Sequence, residues 1–197
     1  MTRSSFTKAT GVWRRGALAT ATVLMLAGSA SADPTETWVQ ALCPDESPAR
    51  QARVAVYDVE LGRQLAHGRA DVNGYFAVAA EPDQELIAVT LASSLTSCDG
   101  YAGTGRVNGG GFAQVTAATA WTSLPSYEGP FAADARVAYV DPDSFEGMGR
   151  RETSAEGAVP TYCGESTTAL ALVWDAGDPL TFVPCAAPPG LFMPPTP

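Results

Sequence analysis

The lack of a helical pattern, together with frequent turn signals, is the feature that most constrains this chain. After an N-terminal segment, short runs rich in Val, Ala, Thr and aromatic residues alternate with Gly, Pro, Asp and Asn. Val54 and Val56 occupy one face of a predicted strand, and residues 86–91 form an uninterrupted apolar run. Asn73-Gly74 is a hairpin signal, because both residues adopt positive φ readily. The pattern predicts an all-β protein built as an antiparallel β-sandwich.

The N-terminal segment has the three parts of a secretory signal peptide. Residues 1–16 contain four basic residues and no acid, and residues 17–28 are uncharged and apolar. Ala30 and Ala32 supply the small residues that a signal peptidase recognises. The apolar run is shorter than the roughly 20 residues needed to span a bilayer. We therefore predict a signal peptide over residues 1–32, exported by the general secretory or the twin-arginine route, and no integral membrane segment after cleavage.

Composition and charge exclude several classes of protein. The 197-residue chain is 46% hydrophobic and 17% charged, which is typical of a folded rather than a disordered protein. Its formal charge is −9, and removal of the four basic leader residues leaves eight arginines against 21 acids, a charge of −13. Such an acidic surface disfavours binding to nucleic acid or anionic lipid. The remaining partner classes are an unknown protein or a glycan ligand.

Four cysteines remain after the predicted cleavage, and their number agrees with export. An even number in an exported chain indicates two disulfides, which form in oxidising compartments. Three connectivities are possible, and the cysteine spacing leaves them open. The protein is therefore expected to be secreted, periplasmic or extracellular. The cysteines are Cys43, Cys98, Cys163 and Cys185.

The second half of the chain resembles the first. Residues 52–58 (ARVAVYD) are similar to residues 135–141 (ARVAYVD), an apolar run follows in each half, and each half ends at a cysteine. Such an internal repeat predicts two small related β-domains in tandem, and one larger sandwich that uses all the strands is the alternative. The two-domain prediction favours disulfides within each half, Cys43–Cys98 and Cys163–Cys185.

The expected domain boundaries follow from this organisation. A glycine-rich stretch over residues 100–111 is interpreted as a flexible connection or a long hairpin loop, because no Lys-Ser or Lys-Thr follows it as in a phosphate-binding loop. The two domains are expected at residues 33–105 and 106–187. Residues 188–197 are rich in proline and are expected to form a disordered tail.

One hairpin in the first half resembles a known family. Residues 71–76 (DVNGYF) are similar to the T-D-x-N-G-x-F hairpin of transthyretin-like and carboxypeptidase-regulatory-like domains, with Ala70 in place of the usual Thr. The positions of Cys43 and Cys98 are similar to those of cysteines in extracellular members. The resemblance covers residues 38–98 and implies a small transthyretin-like or Ig-like sandwich.

The same resemblance implies roles for the hairpin residues. Asp71 and Asn73 would satisfy the backbone of the turn, Gly74 would adopt positive φ, and Phe76 would point into the core. These roles are structural. Domains of this type serve as accessory, adhesive or ligand-binding units, so the resemblance implies a binding role without naming a ligand.

Residues that could carry out catalysis are sparse. His67 is the one histidine in the chain, so a site with paired histidines is excluded. No Gly-x-Ser-x-Gly motif is present, and a hydrolase triad would have to combine His67 with an unmarked serine. We predict no catalytic residue and no cofactor. The expected function is that of an exported, non-catalytic β-sandwich protein with a binding, adhesive or structural role, and a small secreted hydrolase or a carbohydrate-active or carbohydrate-binding protein is the alternative.

Two further residue groups could bind a ligand. Asp141, Asp143 and Glu146 form the densest carboxylate group, but their spacing is not that of an EF-hand, and a solvated turn is favoured over a calcium site. Aromatic residues could form a sugar-stacking platform, although in small sandwiches they are more often core residues. Tryptophan side chains on one exposed face would favour glycan binding. The aromatic residues are Trp38, Trp121, Trp174, Tyr101 and Tyr127.

Overall fold

The described part of the chain contains twelve β-strands and no α-helix, which confirms the predicted all-β class. A computed structural model describes residues 33–120, 123–125, 127, 129, 131–161, 168–175 and 177–185. The strands are β1 (Thr35–Leu42), β2 (Arg53–Asp58), β3 (Gln64–Arg69), β4 (Tyr75–Ala80), β5 (Glu85–Leu91), β6 (Tyr101–Asn108), β7 (Phe112–Thr116), β8 (Thr119–Ala120), β9 (Arg136–Val140), β10 (Gly147–Glu152), β11 (Thr168–Val173) and β12 (Leu180–Pro184).

The strands form three sheets. The outer sheet has the order β4-β1-β7, the central sheet the order β3-β2-β5-β6-β8, and the distal sheet the order β10-β9-β11-β12. Neighbouring strands are antiparallel, except that β1 and β7 run parallel. The described residues offer no helix of the length and apolar character that crossing a membrane requires.

The central sheet is buried on both faces, because it packs against the other two sheets. On one face, Val54 and Val56 join a core that includes Val39 of the outer sheet. On the other face, Tyr57 and its neighbours join a second core that includes Leu170 of the distal sheet. This explains why β2 and β5 are apolar at nearly every position. The molecule is thus a three-layered sandwich.

The distal sheet repeats the central sheet with a constant offset of 83 residues, the difference between Arg53 and Arg136. Arg53 pairs with Arg69, and Arg136 pairs with Glu152. The same offset relates the pairing of β2 with β5 to that of β9 with β11: Val54 pairs with Thr90, and Val137 pairs with Val173. Both β2–β3 and β9–β10 also carry a β-bulge at the corresponding position. The repeat seen in the sequence is therefore also a repeat of strand register.

The hairpin that resembles transthyretin-like domains has a counterpart in the second half. Asp71 N donates to the Tyr75 carbonyl at 2.8 Å, and Ser154 N donates to the Ala158 carbonyl at 2.8 Å. Gly74 in the first turn has a φ of 80°, and Gly157 in the second has a φ of 78°. The corresponding residues of the two turns are again 83 positions apart, so the repeat extends beyond the sheets into the turns.

The glycine-rich stretch is not the flexible connection that the sequence predicts. It forms β6 and the turn that leads into β7, so the boundary expected between residues 105 and 106 falls inside a strand. The glycines are there because β7 crosses close to β6. A Cβ on Gly103 would collide with the Thr116 carbonyl oxygen, and one on Gly105 would lie 2.8 Å from Val115 Cγ2. The first repeat therefore continues through β8, and both repeats lie within one compact unit, Ser31–Pro197.

One predicted disulfide is confirmed. Cys43 and Cys98 are bonded, with an S–S distance of 1.98 Å and a Cα–Cα distance of 5.6 Å, and both are buried in the first core. Cys185 is also disulfide-bonded. Its predicted partner, Cys163, lies outside the described residues, as do the signal peptide and the proline-rich tail, and these predictions remain untested.

Candidate functional site

The outer surface of the outer sheet carries three aromatic side chains. The strands alternate between the two faces, so that Val39 and Ala41 of β1 point into the core while Trp38 points outward. Tyr75 of β4 and Phe112 of β7 lie on the same outer surface, which we call the aromatic face. Trp38 is 39% exposed and Phe112 is 55% exposed, which are high values for such large apolar side chains.

The three rings form one contiguous cluster on the sheet, with Tyr75 in contact with both of the others. The ring centroids of Trp38 and Tyr75 are 6.2 Å apart, with planes at 84°. Those of Tyr75 and Phe112 are 6.3 Å apart, with planes at 43°. Edge and tilted contacts of this kind stabilise aromatic pairs and hold their rings in a defined orientation. The cluster therefore offers an ordered apolar surface to a ligand.

Two glutamine side chains lie beside the aromatic cluster. Gln40 pairs with Tyr75 on one side and with Gln114 on the other. Gln114 Nε2 donates to Gln40 Oε1 at 3.0 Å, and Gln40 Nε2 donates to the Asn73 carbonyl at 3.4 Å. Each amide retains further donor or acceptor capacity, since an amide has two N–H groups and a carbonyl oxygen. The face thus combines apolar rings with amides that can bind hydroxyl groups.

A tight turn between β6 and β7 positions Phe112. Trp38 N donates to the Gly111 carbonyl at 3.0 Å, and Gly110 N donates to Thr37 Oγ1 at 2.8 Å. Gly110 has a φ of 78°, a conformation that glycine adopts without strain. These bonds tie the turn to β1, so Phe112 is held directly opposite Trp38.

Most of the aromatic residues considered for a sugar-stacking platform pack against cores, as the favoured interpretation expects. Trp38 is exposed, but Trp174 packs against Tyr57 with ring centroids 5.8 Å apart beside the second core. Tyr101 packs against the first core, and Tyr127 packs against a third core on the far side of the distal sheet. Trp121, the remaining member of the predicted platform, lies outside the described residues.

The sequence analysis missed two members of the aromatic face, Tyr75 and Phe112. The signal that could have found them is the alternation along β4 and β7, which places each on the solvent side of its strand. Alternation alone does not show which strands are neighbours. The parallel pairing of β1 with β7, which brings Phe112 beside Trp38, has no local sequence signal.

The hairpin residues have structural roles. Asp71 Oδ1 accepts hydrogen bonds from Asn73 N and Tyr75 N, both at 2.8 Å. A Cβ on Gly74 would collide with the Ala41 carbonyl oxygen, so only glycine fits there. The turn therefore fixes the start of β4 and, with it, the position of Tyr75.

The acidic loop is organised as a turn. Asp141 Oδ1 accepts hydrogen bonds from Asp143 N at 2.9 Å and from Ser144 N at 2.7 Å. Phe145, which follows, is fully buried in the second core, while Asp143 and Glu146 are exposed. Within the described ranges, no three His, Cys, Asp or Glu side chains are grouped so that they could hold a metal ion.

His67 lies on β3, at the edge of the central sheet, where it pairs with Ala55 of β2. Its side chain is exposed to solvent. An exposed histidine on an edge strand lacks the enclosed surroundings in which catalytic groups are usually tuned. Among the described residues, the aromatic face is therefore the better candidate for a functional site than His67.

Comparison with known proteins shows no family. No family model and no curated protein matches the chain. Six solved chains match, and two of them illustrate how partial the matches are. The Bacillus anthracis TIE protein is 9% identical with a TM-score of 0.32, and the match covers 78% of this chain and 31% of that one. A streptococcal ancillary pilin is 11% identical with a TM-score of 0.29, and the match covers 77% of this chain and 55% of that one. The chain therefore spans about a third and about half of these two proteins, and it is assigned to neither family.

Proposed function

We propose that the protein is an exported, non-catalytic β-sandwich protein that binds a glycan chain on the aromatic face. The observation that supports this proposal most directly is the cluster formed by Trp38, Tyr75 and Phe112 with Gln40 and Gln114 beside it. Sugar rings present apolar C–H surfaces that pack on aromatic rings, and their hydroxyl groups pair with amides. The face offers both kinds of contact within one sheet.

The shape of the face favours a chain over a single sugar. The three rings come from three neighbouring strands, with centroids 6.2 and 6.3 Å apart, so together they can contact more than one sugar unit. An open sheet surface also leaves both ends of a bound chain free to continue into solvent. Binding at such a surface suits an adhesive or structural role in the extracellular space or the cell envelope.

Charge favours a neutral glycan. Glu36 lies exposed on the same outward side of β1 as Trp38, and no arginine lies on β1, β4 or β7. The chain without its predicted leader has 13 more acids than bases (21 against eight), so it repels polyanions at long range. The Cys43–Cys98 disulfide supports the exported location, because such bonds persist in oxidising compartments.

The experiment that tests this proposal is a binding assay with matched variants. Purified protein is mixed with a panel of insoluble neutral polysaccharides, including cellulose and chitin, and with soluble neutral oligosaccharides. Trp38→Ala and Phe112→Ala should each weaken binding at least tenfold. Leu95→Ala is the control, since Leu95 is a large apolar residue that is 69% exposed outside the aromatic face. Failure of the wild type to bind any member, or undiminished binding by a double Trp38→Ala/Phe112→Ala variant, would contradict the proposal.

A further inference from the structure

The two repeats face each other through a pseudo-twofold interface. Arg53 Nη1 of the first repeat donates to the Pro142 carbonyl of the second. Arg136 Nη1 of the second repeat donates to the Val59 carbonyl of the first at 2.9 Å. The two donors, Arg53 and Arg136, are 83 residues apart, and so are the two acceptors, Val59 and Pro142. Each repeat thus uses the same surface, as in an isologous dimer.

This symmetry produces two related grooves at opposite ends of β2 and β9. One has a volume of about 460 Å³, and we call it the tryptophan groove. Its counterpart has a volume of about 540 Å³, and we call it the leucine groove. The lining of the tryptophan groove includes Glu60, Arg136, Arg150, Arg151, Glu152 and Trp174, and that of the leucine groove includes Arg53, Arg69, Leu91, Pro142 and Asp143.

The two grooves differ where the repeats have diverged. Trp174 stands in one groove at the position that Leu91 occupies in the other, again 83 residues apart. In the part of the chain that the structure describes, Trp174 Nε1 is the one buried side-chain nitrogen or oxygen that lacks a hydrogen-bond partner. Buried polar groups are nearly always paired in native proteins. The indole N–H is therefore an exception at this end of the interface.

Two arginines of the tryptophan groove have donor capacity left over. Arg136 uses Nη1 to reach the Val59 and Glu60 carbonyls, and Arg150 uses Nη1 to reach the Leu61 carbonyl. Among the described residues, neither Arg136 nor Arg150 forms a salt bridge with a carboxylate. A guanidinium has five N–H donors and fits a carboxylate with two of them. Two such groups in one groove form a site for a carboxylate.

The glutamates of the groove define the rest of the ligand. Glu60 and Glu152 nearly balance the charge of the three arginines in the lining, so the groove does not favour a polyanion. Carboxylates accept hydrogen bonds from hydroxyl groups, however. A ligand with one carboxylate and several hydroxyl groups satisfies both residue types. A volume near 460 Å³ suits a molecule of this size, since small-molecule sites begin at about 300 Å³.

We propose that the tryptophan groove binds a sugar acid, a small hydroxylated carboxylate of the uronate class. Arg136 and Arg150 bind the carboxylate, Glu60 and Glu152 accept hydrogen bonds from the hydroxyl groups, and Trp174 forms one wall. This site is separate from the aromatic face and does not depend on the function proposed there.

The test uses the full exported chain with glucuronate as the probe. Binding is measured by isothermal titration calorimetry and by the change in tryptophan fluorescence. We expect saturable binding in the millimolar range or tighter, and at least tenfold weaker binding of uncharged glucose. Arg150→Gln should weaken glucuronate binding at least tenfold. Arg69→Gln, in the leucine groove, is the matched control and should leave the affinity unchanged. Trp38→Ala should also leave it unchanged, which separates this site from the aromatic face.

Two further measurements keep the test decisive. Arg150→Lys preserves the charge but removes two-point pairing, so it should bind several-fold more weakly than the wild type even if Arg150→Gln fails to fold. Trp174→Phe should abolish the fluorescence change. The proposal is overturned by the absence of saturable glucuronate binding, by equal loss of affinity in Arg69→Gln, or by equal affinity for sulfate, which lacks the hydroxyl pattern.

Discussion

Gly74 shows how one backbone position controls the aromatic face. Its φ is 80°, and a Cβ there would meet the Ala41 carbonyl of β1. Gly177 has the same φ of 80° but nothing within 4 Å of the corresponding position. We therefore expect Gly177→Ala to lower the free energy of unfolding by about 1 kcal/mol, the cost of the conformation alone. Gly74→Ala should cost roughly 3 kcal/mol because a steric collision is added. Urea denaturation measures both, and equal losses would show that β1 yields to the extra carbon.

Two buried tyrosines should make the free energy of unfolding depend on pH in the alkaline range. Burial raises the pKa of Tyr139 to about 12, and its hydroxyl donates to the Pro160 carbonyl at 2.7 Å. Burial also raises the pKa of Tyr57 well above its ordinary value. The native state keeps these protons where the unfolded chain, with a pKa near 10, releases them. Stability is therefore complete below pH 10 and is lost as the pH rises through 12.

The expected slope is about 1.4 kcal/mol per pH unit for each tyrosine in this window. It is measured by urea denaturation at a series of alkaline pH values. Tyr139→Phe should remove one tyrosine's share of the slope, while lowering stability at neutral pH by about 1 kcal/mol through the lost hydrogen bond. Tyr127→Phe, at a partly buried tyrosine packed against the third core, is the comparison. An unchanged slope in Tyr139→Phe would contradict the assignment.

At the scale of elements, one ion pair links strand β6 of the first repeat to the loop before β12 of the second. Arg106 Nε lies 2.6 Å from Asp178 Oδ2, and Arg106 Nη2 lies 2.8 Å from Asp178 Oδ1. The Asp178 side chain is 6% exposed, whereas that of Glu85, the other partner of Arg106, is 50% exposed. The hydrogen bond to Asp178 contributes most to raising the pKa of Arg106, and the hydrogen bond to Glu85 contributes next.

This asymmetry in burial predicts unequal effects of substitution. Arg106→Ala leaves Asp178 buried without its cation, and we expect a loss of roughly 2–3 kcal/mol, because Arg106 itself is partly exposed. Glu85→Ala breaks only an exposed pair and should cost less than about 1 kcal/mol. Thermal or urea unfolding in low and high salt distinguishes them. Similar losses for the two variants would show that the contact with Asp178 contributes little to holding the repeats together.

The elements also show which parts of the fold the sequence can predict. Strands β2 and β5 are evident from their apolar runs, and the turn at Gly74 from its Asn-Gly pair. Strand β6 is hidden, because Gly103 and Gly105 are required by the close approach of β7 and suppress the β signal. Trp38 is recognisable as a candidate, but its neighbours on the aromatic face depend on pairings between distant segments. Long-range register, unlike local alternation, leaves no mark in a single sequence.

At the scale of the whole molecule, the repeat resembles a dimer whose two copies are joined in one chain. The first repeat would bury one face of its central sheet internally and expose the other if the second repeat were absent. The exposed face would include Tyr57, Ile87 and Val89, all buried in the complete protein. Exposed apolar surface of this kind favours association. Because the natural interface is pseudo-twofold, a second copy of the first repeat can replace the missing partner.

We therefore expect residues 33–120, expressed alone with the Cys43–Cys98 disulfide intact, to form a twofold dimer. Arg53 of each copy would donate to the Val59 carbonyl of the other, as it donates to Pro142 in the full chain. Analytical ultracentrifugation measures the association. Ile87→Asp should give a monomer that retains its β circular dichroism, because Ile87 lies on the exposed face and not in the first core. A wild-type fragment that remains a folded monomer would show that divergence between the repeats, such as Leu91 against Trp174, has removed the self-complementarity of the original surface.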